Sequence, residues 1–155
     1  MPVYLFTFHA YASWMPDRKQ GYVQQGKGIL KTDEQMAQSY RLRQTQDVVT
    51  FNQSVQQCMI DALQENLSHS HYRLHAIATD SSHIHILISW QDQRSTAMLK
   101  STVKQALTRH LNQSVQKQQW FSRKGSQKRV KDKQHFEYLM NIYFPRHKGL
   151  SWYEK

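Results

Sequence analysis

His83 and His85 are separated by one residue in the run Ser82-His83-Ile84-His85-Ile86-Leu87-Ile88-Ser89-Trp90. On a β-strand, residues two apart point to the same face, so the two imidazoles stand together. Ile84, Ile86 and Ile88 take the other face and can pack into a core. Two neutral imidazoles are half of a site for a divalent transition metal. The spacing alone also fits two polar residues on a half-exposed strand, so the rest of the chain must decide. A second chemical feature is Ser122-Arg123-Lys124-Gly125-Ser126-Gln127-Lys128-Arg129-Val130-Lys131, read as a basic loop with a flexible glycine. Like charges this close repel and favour either solvent or a polyanion. Arg123, Lys124, Lys128, Arg129 and Lys131 are therefore the candidate nucleic-acid contacts.

Several elements must position these groups. Val3 to Tyr11 is rich in aromatic and β-branched residues and predicts a first strand. A long loop follows, punctuated by Pro16, Gly21, Gly26 and Gly28, with Trp14 as its anchor to the core. Thr32 or Asp33 can cap a short helix, and a longer one is expected over about Thr50 to Leu67, with Val55, Met59, Ala62 and Leu63 at helical spacing. Tyr72 to Thr79 reads as a strand with Leu74, Ala76 and Ala78 on one face and Arg73, His75 and Ile77 on the other. Asp80-Ser81-Ser82 is a tight turn, so the strand carrying His83 and His85 returns antiparallel.

Ser95 can cap a helix from about Thr96 to Gln116, with Met98, Leu99, Val103, Leu107 and Leu111 as its apolar stripe. Trp120-Phe121 is the expected start of a short last strand. Asp132 can cap a final helix over about Lys133 to Phe144 that stops before Pro145. Gly149 closes the next turn, and Trp152 packs the tail down. The order predicts one α+β domain over residues 1–155, ferredoxin-like, with an antiparallel sheet and helices on one face, plus the C-terminal helix.

The chain has 155 residues, enough for one real core, and a formal net charge of +10. Eight Tyr, six Phe and four Trp accompany that charge. Cations meet phosphates and rings stack on bases, so this balance suits nucleic-acid binding. The single cysteine, Cys58, excludes an internal disulfide and a Cys-based zinc cluster, and points to a reducing, cytoplasmic compartment. No stretch approaches a membrane span, and no basic region precedes the first strand-like run, so neither membrane association nor a secretory signal is expected.

His83-Ile84-His85 resembles the His-hydrophobic-His motif of the HUH nucleases. The opening Phe6-Thr7-Phe8-His9-Ala10-Tyr11-Ala12-Ser13-Trp14-Met15-Pro16 resembles the start of small insertion-sequence transposases with one catalytic tyrosine. The ending, Tyr138-Leu139-Met140-Asn141 through Pro145-Arg146-His147-Lys148-Gly149-Leu150, does so too, and the subgroup it is most similar to is the REP-associated tyrosine transposases. The likeness spans nearly the whole chain, with nothing added by about Thr32 to Thr50. It implies a ferredoxin-like fold with the His pair on a central strand. It also implies Mg²⁺ or Mn²⁺ held by the two histidines and a third polar ligand from the last helix, with no nucleotide cofactor. The tyrosine of that helix would attack a phosphodiester of single-stranded DNA, leaving a 5′-phosphotyrosine link and a free 3′-hydroxyl. Members are typically homodimers that bind imperfect hairpins.

In that family the third ligand commonly lies four residues after the tyrosine. Four after Tyr138 is Ile142, which binds no metal. Asn141, three residues on, shares its helix face and is the first choice; Gln134 and His147 are the alternatives. Tyr143 has His147 four residues on, with Pro145 between them. Tyr138 is the first choice of nucleophile because Tyr138-Leu139-Met140-Asn141 resembles the family's tyrosine helix, and Tyr143 is the alternative. Two function classes follow. One is a metal-dependent DNA strand-transferase or endonuclease, a transposase. The other is a non-catalytic module for single-stranded RNA or DNA hairpins, such as a domesticated copy.

Overall fold

The computed structural model describes residues 2–13, 22–24, 28–30, 48–66 and 71–155. In chain order the elements are β1 (Val3–His9), β2 (Tyr22–Gln24), β3 (Gly28–Leu30), α1 (Gln53–Asn66), β4 (Tyr72–Thr79), β5 (His83–Trp90), α2 (Thr96–Ser114), β6 (Ser126–Arg129), α3 (Lys133–Tyr138) and β7 (Ser151–Tyr153). Trp14 and the expected short helix after Thr32 lie outside the described residues. Strands β2 and β3 form a separate two-stranded ladder.

Five strands make one antiparallel sheet in the order β6-β1-β5-β4-β7. The four strands of the ferredoxin-like order are present as β6-β1-β5-β4, and β7 extends the sheet beyond β4. Strand β5 is central, paired with β1 on one side and β4 on the other, and only its first residue is not buried. Ile84, Ile86 and Ile88 join Phe6 and Phe8 of β1 under α1 and α2, in one apolar cluster. Each such fully buried side chain contributes roughly 1.5–3 kcal/mol. Leu87 points the other way, to a second cluster with Leu5, Ala76, Ala78, Leu139 and Phe144. The C-terminal segment covers that second face, so His85 is 5% exposed and stands under cover.

Local chemistry accounts for the helix starts. Asn52 Oδ1 accepts from Val55 N at 2.9 Å, Ser95 Oγ from Met98 N at 3.1 Å, and Asp132 Oδ1 from His135 N at 2.8 Å. Each cap satisfies an amide that the helix itself leaves orphaned.

Four expectations are corrected. Leu74 and Ala76 do not share a face, because the ladder shifts register between them at His75. The bulge puts Leu74 and Ile77 in the first cluster and Ala76 and Ala78 in the second. Trp120-Phe121 does not begin the last strand. Phe121 makes one isolated bridge to Ala10, and β6 starts five residues later. Gly125 is no flexible joint: a Cβ there would stand 2.7 Å from Phe8 Cδ1 and 2.8 Å from Thr7 O. The last helix does not stop before Pro145. It widens into a π-helical turn at Leu139–Tyr143 and tightens into a 3₁₀ turn at Phe144–Arg146. Proline is tolerated in a first turn, where its missing N–H has no partner to lose.

Candidate metal centre

The register of β1 on β5 sets His9 opposite His83 and Thr7 opposite His85. The fourth participant arrives from the other end of the chain. After the 3₁₀ turn, His147 turns to an extended backbone (φ −74°, ψ 139°), and its ring reaches 4.4 Å from that of His85 between centroids. His83, His85 and His147 then each offer one nitrogen, all within 4.8 Å of one another. His9 flanks them, its ring 5.8 Å from that of His83.

Hydrogen bonds leave one ring nitrogen available on His85 and on His147. Thr7 Oγ1 lies 2.7 Å from His85 Nδ1, which leaves Nε2 of His85 for an ion. His147 Nδ1 lies 3.2 Å from Phe144 O, an acceptor, so its N–H is on Nδ1 and its lone pair on Nε2. Asp80 Oδ2 lies 2.9 Å from His83 Nε2, while Ser82 Oγ lies 3.0 Å from His83 Nδ1. Both ring nitrogens of His83 thus have partners, and an ion taking the lone pair of Nδ1 would replace the Ser82 contact while Asp80 orients the ring from Nε2. The other oxygen of Asp80 accepts from the backbone N–H of Ser82 (2.8 Å) and of His83 (3.0 Å), so the β4–β5 turn also fixes this carboxylate.

Burial favours the neutral form of His83 and His85. It pushes the His85 pKa down to about 3, with the neighbouring His83, His147 and His9 adding to the effect. His83 is also lowered, first by burial and then by His9 and His147, with Asp80 working in the opposite direction. Neutral imidazole is the ligating form, so the cluster is ready for a cation. Three imidazoles suit a transition ion better than Mg²⁺, which demands oxygen ligands.

Tyr143 stands against this group, its ring 5.3 Å from His85 and 5.2 Å from His147. Its phenol pKa is raised by burial first, then by Tyr138 and Asp80. Tyr138, in α3, is 42% exposed. Asn141 and Gln134 are exposed as well, and the nitrogen group contains His147. An open groove of about 570 Å³ adjoins the centre, lined by Asp80, Ser82, His83, Arg146, His147 and Lys148 among others.

The five sequence-predicted cations are all exposed, and none lines that groove. Lys128 and Arg129 belong to β6, on the edge of the sheet. Lys128 pairs with Leu5 and so shares the histidine face, whereas Arg129 pairs with Tyr4 on the opposite one. The sequence reading missed Thr7, His9 and Asp80 as partners and Arg146 and Lys148 as groove cations. Asp80 was visible only as a turn residue. The four-residue spacing of Tyr143 and His147 was the available signal, masked by Pro145.

No helix among the described residues is long and apolar enough to cross a membrane. No family model and no curated protein matches the chain. Among solved structures the chain is similar to a REP-associated tyrosine transposase bound to a REP hairpin. Identity is 6%, and the match covers 92% of this chain and 67% of that one at a TM-score of 0.47.

Proposed function

We propose that this protein cuts and rejoins single-stranded DNA through a 5′-phosphotyrosine intermediate, using a divalent metal on His83, His85 and His147. The observation that carries the reading is the convergence of three imidazoles and Tyr143 on one covered sheet face. A bound metal supplies a Lewis acid for the scissile phosphate, and the donor set favours Mn²⁺ over Mg²⁺. Tyr143 is the nucleophile on geometry, with Tyr138 as the alternative. Its phenol oxygen bonds to phosphorus, the bond from phosphorus to the 3′ oxygen breaks, and that oxygen leaves as the 3′-hydroxyl. The phenol proton passes to solvent, and the departing 3′ oxygen takes up a proton from solvent. His147 as third ligand, four residues after Tyr143, replaces Asn141 in this proposal and restores the spacing that the motif resemblance implies. Arg146 and Lys148 hold phosphates in the groove, and Lys128 extends the cationic track along the same face. Imperfect hairpins as substrate and a homodimer as the working form follow from the same resemblance.

The test is incubation of purified protein with single-stranded hairpin DNA and Mn²⁺, followed by denaturing electrophoresis. A covalent adduct is expected from the parent protein and from Tyr138→Phe, and none from Tyr143→Phe. The reverse pattern assigns the chemistry to Tyr138. Binding without any adduct, unchanged in His83→Ala, rejects the enzyme and supports the non-catalytic binding module.

A further inference from the structure

His147 is delivered by a segment with little regular structure, yet a ligand must be held to a fraction of an ångström. What holds it is visible two residues further on. Thr79, the last residue of β4, and Gln56, in the second turn of α1, take almost every polar group of the Gly149–Leu150 backbone. Gly149 N donates to Thr79 O at 2.9 Å, and Leu150 N donates to Gln56 Oε1 at 3.0 Å. Leu150 O accepts from Thr79 N at 3.0 Å and from Thr79 Oγ1 at 2.6 Å. Gln56 is itself fixed, because its Nε2 donates to Phe51 O at 2.9 Å. It is buried, and Thr79 is fully so.

Fit as well as hydrogen bonding locks this junction. A Cβ on Gly149 would collide with Thr79 O and with Gln56 Oε1. Gln56 and Gly149 also line the groove that holds His83 and His147. Gln56 is the unexpected member, since it sits on α1, whose apolar residues serve the opposite face of the sheet. A polar side chain at that position makes no sense for packing alone: burying an amide is costly unless both its ends are used. Here both ends are used, one to close α1 and one to tether the strand that follows the third ligand.

We infer that Gln56 is a positioning residue for the metal centre, tethering the Gly149–Leu150 backbone so that His147 is presented to His83 and His85. This rests on the metal reading above. Outer contacts of this kind change metal affinity by about 10–100-fold. The experiment is a Co²⁺ titration of the full chain, read by the visible absorption of the bound ion, with the fold followed by circular dichroism. Gln56→Leu is expected to bind Co²⁺ at least about tenfold more weakly than the parent. Gln56→Glu, which keeps an acceptor for Leu150 N but loses the donor to Phe51 O, is expected to recover only part of that loss. In a His147→Ala background, Gln56→Leu is expected to change nothing further, because the ligand it positions is gone. Thr79→Val, which removes only a hydroxyl, is the second variant and is expected to show a smaller loss of the same kind.

Parent-like affinity in either folded variant overturns the inference, as does an equal loss in both backgrounds, which marks general destabilisation. Absence of any bound-cobalt spectrum in the parent overturns the metal reading itself, and this inference with it.

Discussion

At the scale of single residues, His85 carries the sharpest electrostatic consequence. Its native pKa is lowered to about 3, whereas an unfolded histidine titrates near about 6.5. Between those values the unfolded chain binds a proton that the native chain refuses. The stabilising effect is therefore complete above about pH 6.5 and is lost as pH falls towards 3. The slope reaches at most about 1.4 kcal/mol per pH unit for this one proton. Urea denaturation of metal-free protein at pH 7, 6 and 5 is expected to show that decline, and His85→Asn is expected to flatten it. A parent midpoint that stays level from pH 7 to pH 5 contradicts the assignment. Thr7 belongs to the same scale. Its hydroxyl orients His85 through Nδ1, so Thr7→Val is expected to weaken Co²⁺ binding about tenfold or more while leaving the β1–β5 ladder intact.

Among the elements, the joined α3, π and 3₁₀ turns are the one whose form decides the site. A regular helix through Phe144 would bring Tyr143 and His147 out of their present relation to β5. The π turn absorbs one residue, as shown by Phe144 N donating to Leu139 O. Leu139 and Phe144 then both reach the second apolar cluster, and Phe144 lies 6.3 Å from the His85 ring. Phe144 is the buried bolt of the segment. Phe144→Ala is expected to cost about 3–5 kcal/mol, a large part of a domain's ordinary stability. Denaturant midpoints measure that loss. Hydrogen exchange is expected to show it spread along residues 133–146 more than along α1 or α2. A cost below about 1 kcal/mol would mean that the segment is held by its backbone rather than by this side chain.

The whole molecule brings its two ends to one place. Residues of β1, the β4–β5 turn, β5 and the C-terminal turn form the candidate metal centre, while Gln56 of α1 bonds to the Gly149–Leu150 backbone beside it. Charge is also arranged at this scale. The net charge of +10 is spread widely, but Arg146 and Lys148 line the groove and Lys128 stands on the histidine face. Each phosphate contact to single-stranded DNA contributes about 0.7 to the slope of log affinity against log salt. Arg146→Gln and Lys148→Gln are each expected to reduce that slope by about 0.7, and Arg129→Gln, on the opposite face, to leave it unchanged. Fluorescence anisotropy with labelled hairpin DNA over a salt series reads the slopes. Equal effects at all three positions would mean a diffuse field with no cationic track.

What the amino-acid sequence determined by itself was everything that depends on period and local chemistry. Alternation placed His83 and His85 on one face and the isoleucines on the other. Ser95 and Asp132 marked helix starts by their capping oxygens, and the antiparallel return of β4 into β5 followed from the tight turn at Asp80-Ser81-Ser82. Tertiary structure alone decided the third histidine, because His147 is sixty-two residues from His85 and meets it only after the chain passes through a π turn and a 3₁₀ turn. Proline reads as a helix end in sequence, whereas here a packed phenylalanine beside it keeps the chain winding. The bulge at His75, the tether from Gln56 and the pairing of His9 with His83 were equally invisible. Each depends on strand register or on contacts between distant elements, and neither register nor distant contact is written in the spacing of neighbours.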